Sequence, residues 1–116
     1  MASENVRSSF QRGAMAMIIL SLLKCEDMYG YQLVQEIEKQ SGGAILTQEG
    51  SLYPVLYKLQ DQGCISSTRV MVGKRLARLY YHIEDEGLRY LRELVEDYNA
   101  VTEGIYQIIR KGAEKE

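Results

Sequence analysis

From about Asp85 to Lys111 the apolar residues Leu91, Leu94, Tyr98, Val101, Ile105 and Ile108 recur at alternating intervals of three and four. That spacing predicts one long helix with an a/d seam running through three heptads. At ~1.5 Å per residue the helix would be about 40 Å long. A chain of 116 residues makes one compact domain, and a small helical core cannot cover a seam of that length. The surplus is buried most simply by the same helix of a second copy in a two-fold dimer. The competing reading is a helix packed along its own domain. Gly104 interrupts the seam at a cost of ~1 kcal/mol relative to alanine, and it permits a close helix approach or a bend. Tyr98 is the seam's one aromatic residue. It either packs or presents a face to a flat apolar ligand between subunits.

A second constraint lies in residues 49–65. Leu52, Val55, Leu56 and Leu59 recur at helical spacing and would face a core. The front of this short helix is polar and aromatic, with Ser51, Tyr53, Pro54, Tyr57 and Lys58. Thr47 and Ser51 are both candidate N-caps. Neither has Glu or Gln three residues later to form a capping box. Pro54 prefers a first turn, which favours the later start. Gln62-Gly63 stop the helix.

Upstream, residues 1–10 are polar and read as a flexible arm. A first helix is expected from about Gln11 to Cys25, with Met15, Ile18, Ile19, Leu22 and Leu23 as a wide apolar stripe. A second runs from about Gly30 to Gln40, with Tyr31, Leu33, Val34 and Ile37 on one face. Ser41-Gly42-Gly43 end it, glycine supplying a left-handed cap. From Cys64 to Val72 and from Ala77 to Ile83 the chain is rich in β-forming residues, with a turn at Gly73-Lys74-Arg75, which predicts a β-hairpin. The expected fold is mostly α with one hairpin: a winged helix-turn-helix over residues 11–83 and a dimerisation helix over 84–116.

The net charge of −2 is unevenly spread. Residues 1–83 hold nine basic and seven acidic side chains, and residues 84–116 hold five and nine. No carboxylate lies between Asp61 and Glu84, whereas Arg69, Lys74, Arg75 and Arg78 all do. The hairpin is therefore a local basic segment able to lie against phosphates. The longest apolar run, Ala14 to Leu23, is far short of the ~18–20 residues a membrane span needs. No secretion signal is evident, and two cysteines are too few for a disulfide framework. These features predict a cytoplasmic protein.

Catalytic constellations are lacking. His82 is the one histidine and alternates with Tyr80 on a strand; Cys25, Cys64 and His82 have no paired spacing for a metal. Gly42-Gly43 form no phosphate loop. Neither an enzyme nor a cofactor or metal protein is expected. A DNA-binding reading fares better. The helix front offers Gln48, Glu49, Ser51, Tyr53, Tyr57 and Lys58, where hydroxyls and lysine suit phosphate oxygens and Gln48 or Glu49 suit base edges. Lys74 and Arg75 at the hairpin tip would reach the flanking backbone or minor groove, and Tyr29 and Arg78 complete the candidate set.

The chain resembles the PadR-type transcriptional regulators, of the short subfamily with a single C-terminal helix. The resemblance rests on Arg12-Gly13 leading into Ile18-Ile19-Leu20-Ser21-Leu22-Leu23, and on Tyr29-Gly30-Tyr31. It rests equally on Glu49-Gly50-Ser51-Leu52-Tyr53-Pro54-Val55-Leu56 with Leu59 and Gly63-Cys64-Ile65, then Tyr80-Tyr81 and Gly87. It implies a homodimeric winged-helix repressor on a two-fold operator in double-stranded DNA, responsive to a small aromatic or drug-like effector. Tyr98 would line the effector site, and Met15 is the second candidate for it. Cys64 stands where leucine is usual, and the hairpin tip is less basic than in many such proteins. Glu84-Asp85 replace a usual threonine, so Asp85 is expected to cap the last helix. Two other readings of the residues stand beside this one: a winged-helix module that binds a protein partner through the long helix, and a carrier of small molecules that ignores DNA.

Overall fold

A computed structural model describes the backbone of residues 2–115 and the side chains of residues 6–115. The chain forms α1 (Ala2–Cys25), β1 (Met28–Tyr29), α2 (Gly30–Gln40), α3 (Glu49–Asp61), β2 (Ile65–Val72), β3 (Leu76–Ile83) and α4 (Asp85–Ala113). The strands make one antiparallel sheet in the order β1-β3-β2. Strands β2 and β3 pair along their whole length, from Ile65↔Ile83 to Val72↔Leu76. By contrast, β1 adds only Met28↔Tyr81 and Tyr29↔Tyr80, at the root of the hairpin.

One apolar core joins all of these elements. It contains Met15, Ile19, Leu20, Leu22 and Leu23 of α1, Leu33 and Ile37 of α2, and Leu52, Leu56 and Leu59 of α3. Met28, Cys64, Ile65, Tyr81, Ile83 and Leu91 close it from the sheet and the start of α4. The leucines of α3 sit at the predicted i, i+4, i+7 spacing, so burial of that stripe fixes how the helix is rotated on the core.

Both expected glycine stops occur, and for the same reason. Gly42 (φ 63°) and Gly63 (φ 76°) hold the left-handed conformation after α2 and α3. This turns the N–H of Gly43 onto the carbonyl of Glu38 and that of Cys64 onto Leu59, both at 2.9 Å. Between the two stops, the side-chain amide of Gln11 pins the connecting loop. Its Nε2 donates to the Leu46 carbonyl at 2.9 Å, and its Oε1 accepts from the Leu46 N–H.

The structure corrects several expectations. The residues read as a flexible arm are helical, because α1 opens at Ala2 rather than near Gln11. Residues 1 and 116, the outer ends of the expected arm and dimerisation helix, lie outside the described residues. Helix α3 opens with Gln48 as its N-cap residue, which makes no side-chain capping bond; neither Thr47 nor Ser51 holds that position. Pro54 is consequently inside the helix, where it has no N–H to give the Gly50 carbonyl. Glu84, not Asp85, is the residue before α4, and it too makes no side-chain cap; its carboxylate instead accepts from the Ser66 hydroxyl. Tyr31 is exposed rather than part of the apolar face of α2.

The seam of α4 divides in two. Leu91 is buried in the chain's own core and Leu94 packs against it. Tyr98, Val101, Ile105 and Ile108 are exposed, Ile108 to 74%. The first half of the seam thus packs along its own domain, and the second half is left uncovered by the chain itself.

Candidate nucleic-acid interface

Rotation of α3 on the core sorts its front into three stripes. Gly50, Pro54 and Lys58, four residues apart, are exposed and point away from the domain. Gln48 and Ser51 flank them on the side of α1, over a cavity of about 380 Å³ that also meets Gln11, Arg12, Met15 and Val55. Glu49, Tyr53 and Tyr57 lie on the opposite flank, turned toward β3.

That second flank is the more organised. The rings of Tyr53 and Tyr57 are roughly parallel with centroids 6.0 Å apart. Tyr29 meets Tyr80 edge to face at 5.4 Å, and the Arg78 guanidinium lies 4.3 Å from the Tyr29 ring centre. Such a contact holds a cation in place while leaving its N–H groups available. Tyr29, Tyr53, Tyr57 and Arg78, together with Gly30, Tyr81 and Leu79, enclose a cleft of about 560 Å³ between α3 and the hairpin. Burial raises the pKa of Tyr53 above its ordinary value, and the neighbouring Glu49 carboxylate adds to the rise. Tyr81 is pushed up likewise, first by burial and then by the phenols of Tyr53 and Tyr57. With their pKa values raised, Tyr53 and Tyr81 keep neutral hydroxyls that can donate at physiological pH.

The hairpin turn places Lys74 and Arg75 in solvent at the far end of the sheet, with Gly73 (φ 79°) supplying the left-handed turn residue. Arg78, by contrast, stands beside the cleft. The structure thus gathers Tyr29, Glu49, Tyr53, Tyr57 and Arg78 in one place, with Lys58 on the outward stripe. Gln48 and Ser51 face a different cavity, and Lys74 and Arg75 stand apart at the tip. Sequence reasoning missed Gly50 on the outward stripe and Tyr31 and Tyr81 in the cleft. The pattern Tyr29-Gly30-Tyr31 was the available signal, although helical periodicity had placed Tyr31 on the apolar face of α2.

The expected effector residues separate. Tyr98 is half-exposed and borders an apolar groove of about 440 Å³ between α1, the end of α2 and α4. Met17, Ile18 and Leu22 form its α1 wall. Met15 is buried in the core and lines the cavity below Gln48 and Ser51 instead. A helix turns by ~100° per residue, so Met15 and Met17 cannot serve one side of α1. His82 lies on the surface of the hairpin root, its Nδ1 2.7 Å from the Asp27 carboxylate. Cys64 is buried, and its thiol pKa is raised, chiefly by desolvation. Among the described residues no group of His, Cys, Asp and Glu could hold a metal ion, and no helix is long and apolar enough to cross a membrane.

Comparison with known proteins agrees with this geometry. The sequence profile of the transcriptional regulator PadR-like family matches residues 19–93. A Lysinibacillus sphaericus protein is 35% identical over 109 residues, covering 94% of this chain and 99% of the relative. The crystal structure of a PadR family transcriptional regulator from Eggerthella lenta superposes with a TM-score of 0.80 at 33% identity, over 94% of this chain and 96% of that one. Bacillus subtilis PadR in complex with operator DNA superposes with a TM-score of 0.66 at 26% identity, over 71% of this chain and 47% of the PadR chain. The chain belongs to the PadR-like family of DNA-binding transcriptional regulators, and its fold is that family's winged helix with a single long C-terminal helix.

Proposed function

We propose that the protein acts in the cytoplasm as a homodimeric repressor whose hold on its operator is released by a small aromatic effector. In each copy the outward stripe of α3, with Lys58, enters the major groove. The hairpin lies along the adjacent backbone, with Lys74 and Arg75 at its tip. Two copies joined through Tyr98, Val101, Ile105 and Ile108 present two such heads to a two-fold operator. The observation that carries the reading is the placement of a polar, aromatic α3 front beside a hairpin free of carboxylates, while the acidic residues cluster on α4. An effector in the groove beside Tyr98 would alter the separation of the heads by moving α4 against α1. Solved relatives include one on operator DNA, which supports the docking mode.

The test is a binding titration with a duplex carrying the DNA upstream of the protein's gene, at several salt concentrations. Replacing Lys74 and Arg75 together by alanine should weaken binding and reduce the salt dependence by roughly 0.9 per lost phosphate contact in the slope of log K against log [salt]. Weak binding by the wild type, abolished by salt and without sequence preference, would refute specific regulation. Unchanged binding by the double variant would refute the role of the hairpin tip.

A further inference from the structure

The cleft between α3 and the hairpin contains a buried donor with nothing to donate to. Tyr81 is 1% exposed, and among the described residues its hydroxyl is the buried side-chain polar atom without a hydrogen-bond partner. Leaving such a group unpaired is costly, and a native fold that retains one calls for an explanation. Tyrosine is not needed there for volume alone, since phenylalanine would fill the same core position.

The start of α2 opens into the same cleft. Tyr29 stands before the helix in extended conformation and supplies no side-chain cap, and the first turn of α2 contains no acidic residue. Its leading N–H groups and positive dipole end are therefore uncompensated, an arrangement that favours an anion. Tyr53 brings its hydroxyl directly over this helix start: a Cβ added to Gly30 would lie 2.8 Å from the Tyr53 Oη. Arg78 closes the site from β3, held on the Tyr29 ring and engaged in no ion pair among the described residues. The one carboxylate lining the cleft is Glu49, beside Tyr53 on the α3 wall. Tyr57 is exposed and stands outside the core, so its ring can swing outward without disturbing the packing.

We propose that this cleft is a phosphate-binding site in which the leading N–H groups of α2, the Tyr81 hydroxyl and Arg78 together hold one phosphate. It rests on the DNA-binding reading, in which the phosphate belongs to the backbone strand running between α3 and the hairpin. Free inorganic phosphate carries the same oxygens and suits the same donors. A buried donor left unpaired in the free protein and satisfied on binding is a form of pre-organisation. It sacrifices some stability of the unbound fold to fix the register of α3 on the duplex.

The test compares Tyr81→Phe with the wild type in two measurements, affinity for the duplex defined above and thermal stability without DNA. The expected result is about a tenfold loss of affinity, the usual effect of one hydrogen bond to a charged acceptor, with an unchanged or higher Tm. Wild-type affinity in the variant overturns the site, as does a Tm that falls along with the affinity, which would make Tyr81 merely structural. Arg78→Gln should lower the salt slope by about 0.9; an unchanged slope removes Arg78 from the site. Shifts in the amide NMR signals of Gly30 and Tyr31 on adding inorganic phosphate to the wild type but not to Tyr81→Phe mean that the free anion also binds. Absence of those shifts, with the DNA effects retained, assigns the site to backbone phosphate alone. Failure of the wild type to prefer any sequence refutes the regulator reading itself, an outcome distinct from an unaffected Tyr81→Phe.

Discussion

Gly87→Ala should be the most damaging one-methyl change in the chain. Gly87 lies in the first turn of α4 where that helix crosses the end of α3 and the root of the hairpin. A Cβ there would intrude on the Cys64 carbonyl oxygen and stand 2.8 Å from Ile83 Cγ1 and 3.0 Å from the Cys64 carbonyl carbon. Two of those atoms are backbone, so no flexible side chain can yield. The same carbonyl accepts the Glu84 N–H at 2.9 Å, and displacement of α4 would break that bond. Overpacking costs ~1–3 kcal/mol and the lost hydrogen bond about 1 kcal/mol. The better helix propensity of alanine returns about 1 kcal/mol. The net loss is ~1–3 kcal/mol, and at about 4 °C per kcal/mol for a domain of this size the Tm should fall by roughly 4–12 °C. Thermal unfolding followed by circular dichroism at one fixed protomer concentration measures this, since self-association of the kind proposed would make Tm concentration-dependent. A Tm within a degree of the wild type, or above it, would show that α4 is not seated on Cys64 in this way.

The same substitution further along the helix should act in the opposite sense. Around Gly104 nothing lies within 4 Å of an added Cβ, so Gly104→Ala should gain about 1 kcal/mol from propensity; a fall in Tm would instead place a partner helix against that glycine. Ile105→Asp should convert the proposed dimer to monomers in sedimentation velocity while leaving the core intact, because Ile105 is exposed in the single chain; a dimer that persists would exclude the α4 seam as its interface. His82 should titrate above its ordinary value, because the hydrogen bond to Asp27 favours the imidazolium. The pair's stabilisation is then full below about pH 6.5 and lost as pH rises through the raised pKa. Asp27→Asn should return the one histidine signal to its ordinary midpoint in an NMR titration, and no change on that substitution would refute the pairing.

How far these features were visible in the sequence depended on whether their cause was local. The glycine stops at Gly42 and Gly63 were legible because a left-handed residue needs no distant partner. The hairpin followed from a tight turn between two β-rich runs, while its register, Ile65↔Ile83 to Val72↔Leu76, came with the structure. The start of α3 was not legible: Gln48 takes the N-cap position without a side-chain cap, and the loop before it is tied at Leu46 to Gln11, 35 residues away. The two-residue strand β1 escaped notice because its pairing with Tyr80 and Tyr81 is its only reason to be extended. The α4 seam was read as a single surface, yet Leu91 belongs to the core and Ile108 to the exterior. Periodicity reports which side of a helix is apolar, not where along it the domain ends. Tyr81 could be quoted as part of a motif, but an unpaired hydroxyl is a property of its surroundings and exists only in three dimensions.

The uneven width of the sheet has a mechanical consequence. Three strands meet only at Met28-Tyr29 and Tyr80-Tyr81; beyond that line the hairpin continues as a two-stranded ribbon to Gly73. A lone pair of strands twists readily and is only marginally rigid. The hairpin is therefore stiff where Arg78 and Tyr29 meet and increasingly compliant toward Lys74 and Arg75. In the proposed docking, a gradient of this kind would let the root act as a fixed gauge while the tip conforms to the groove width it meets, so that one protein could settle on duplexes whose local shapes differ.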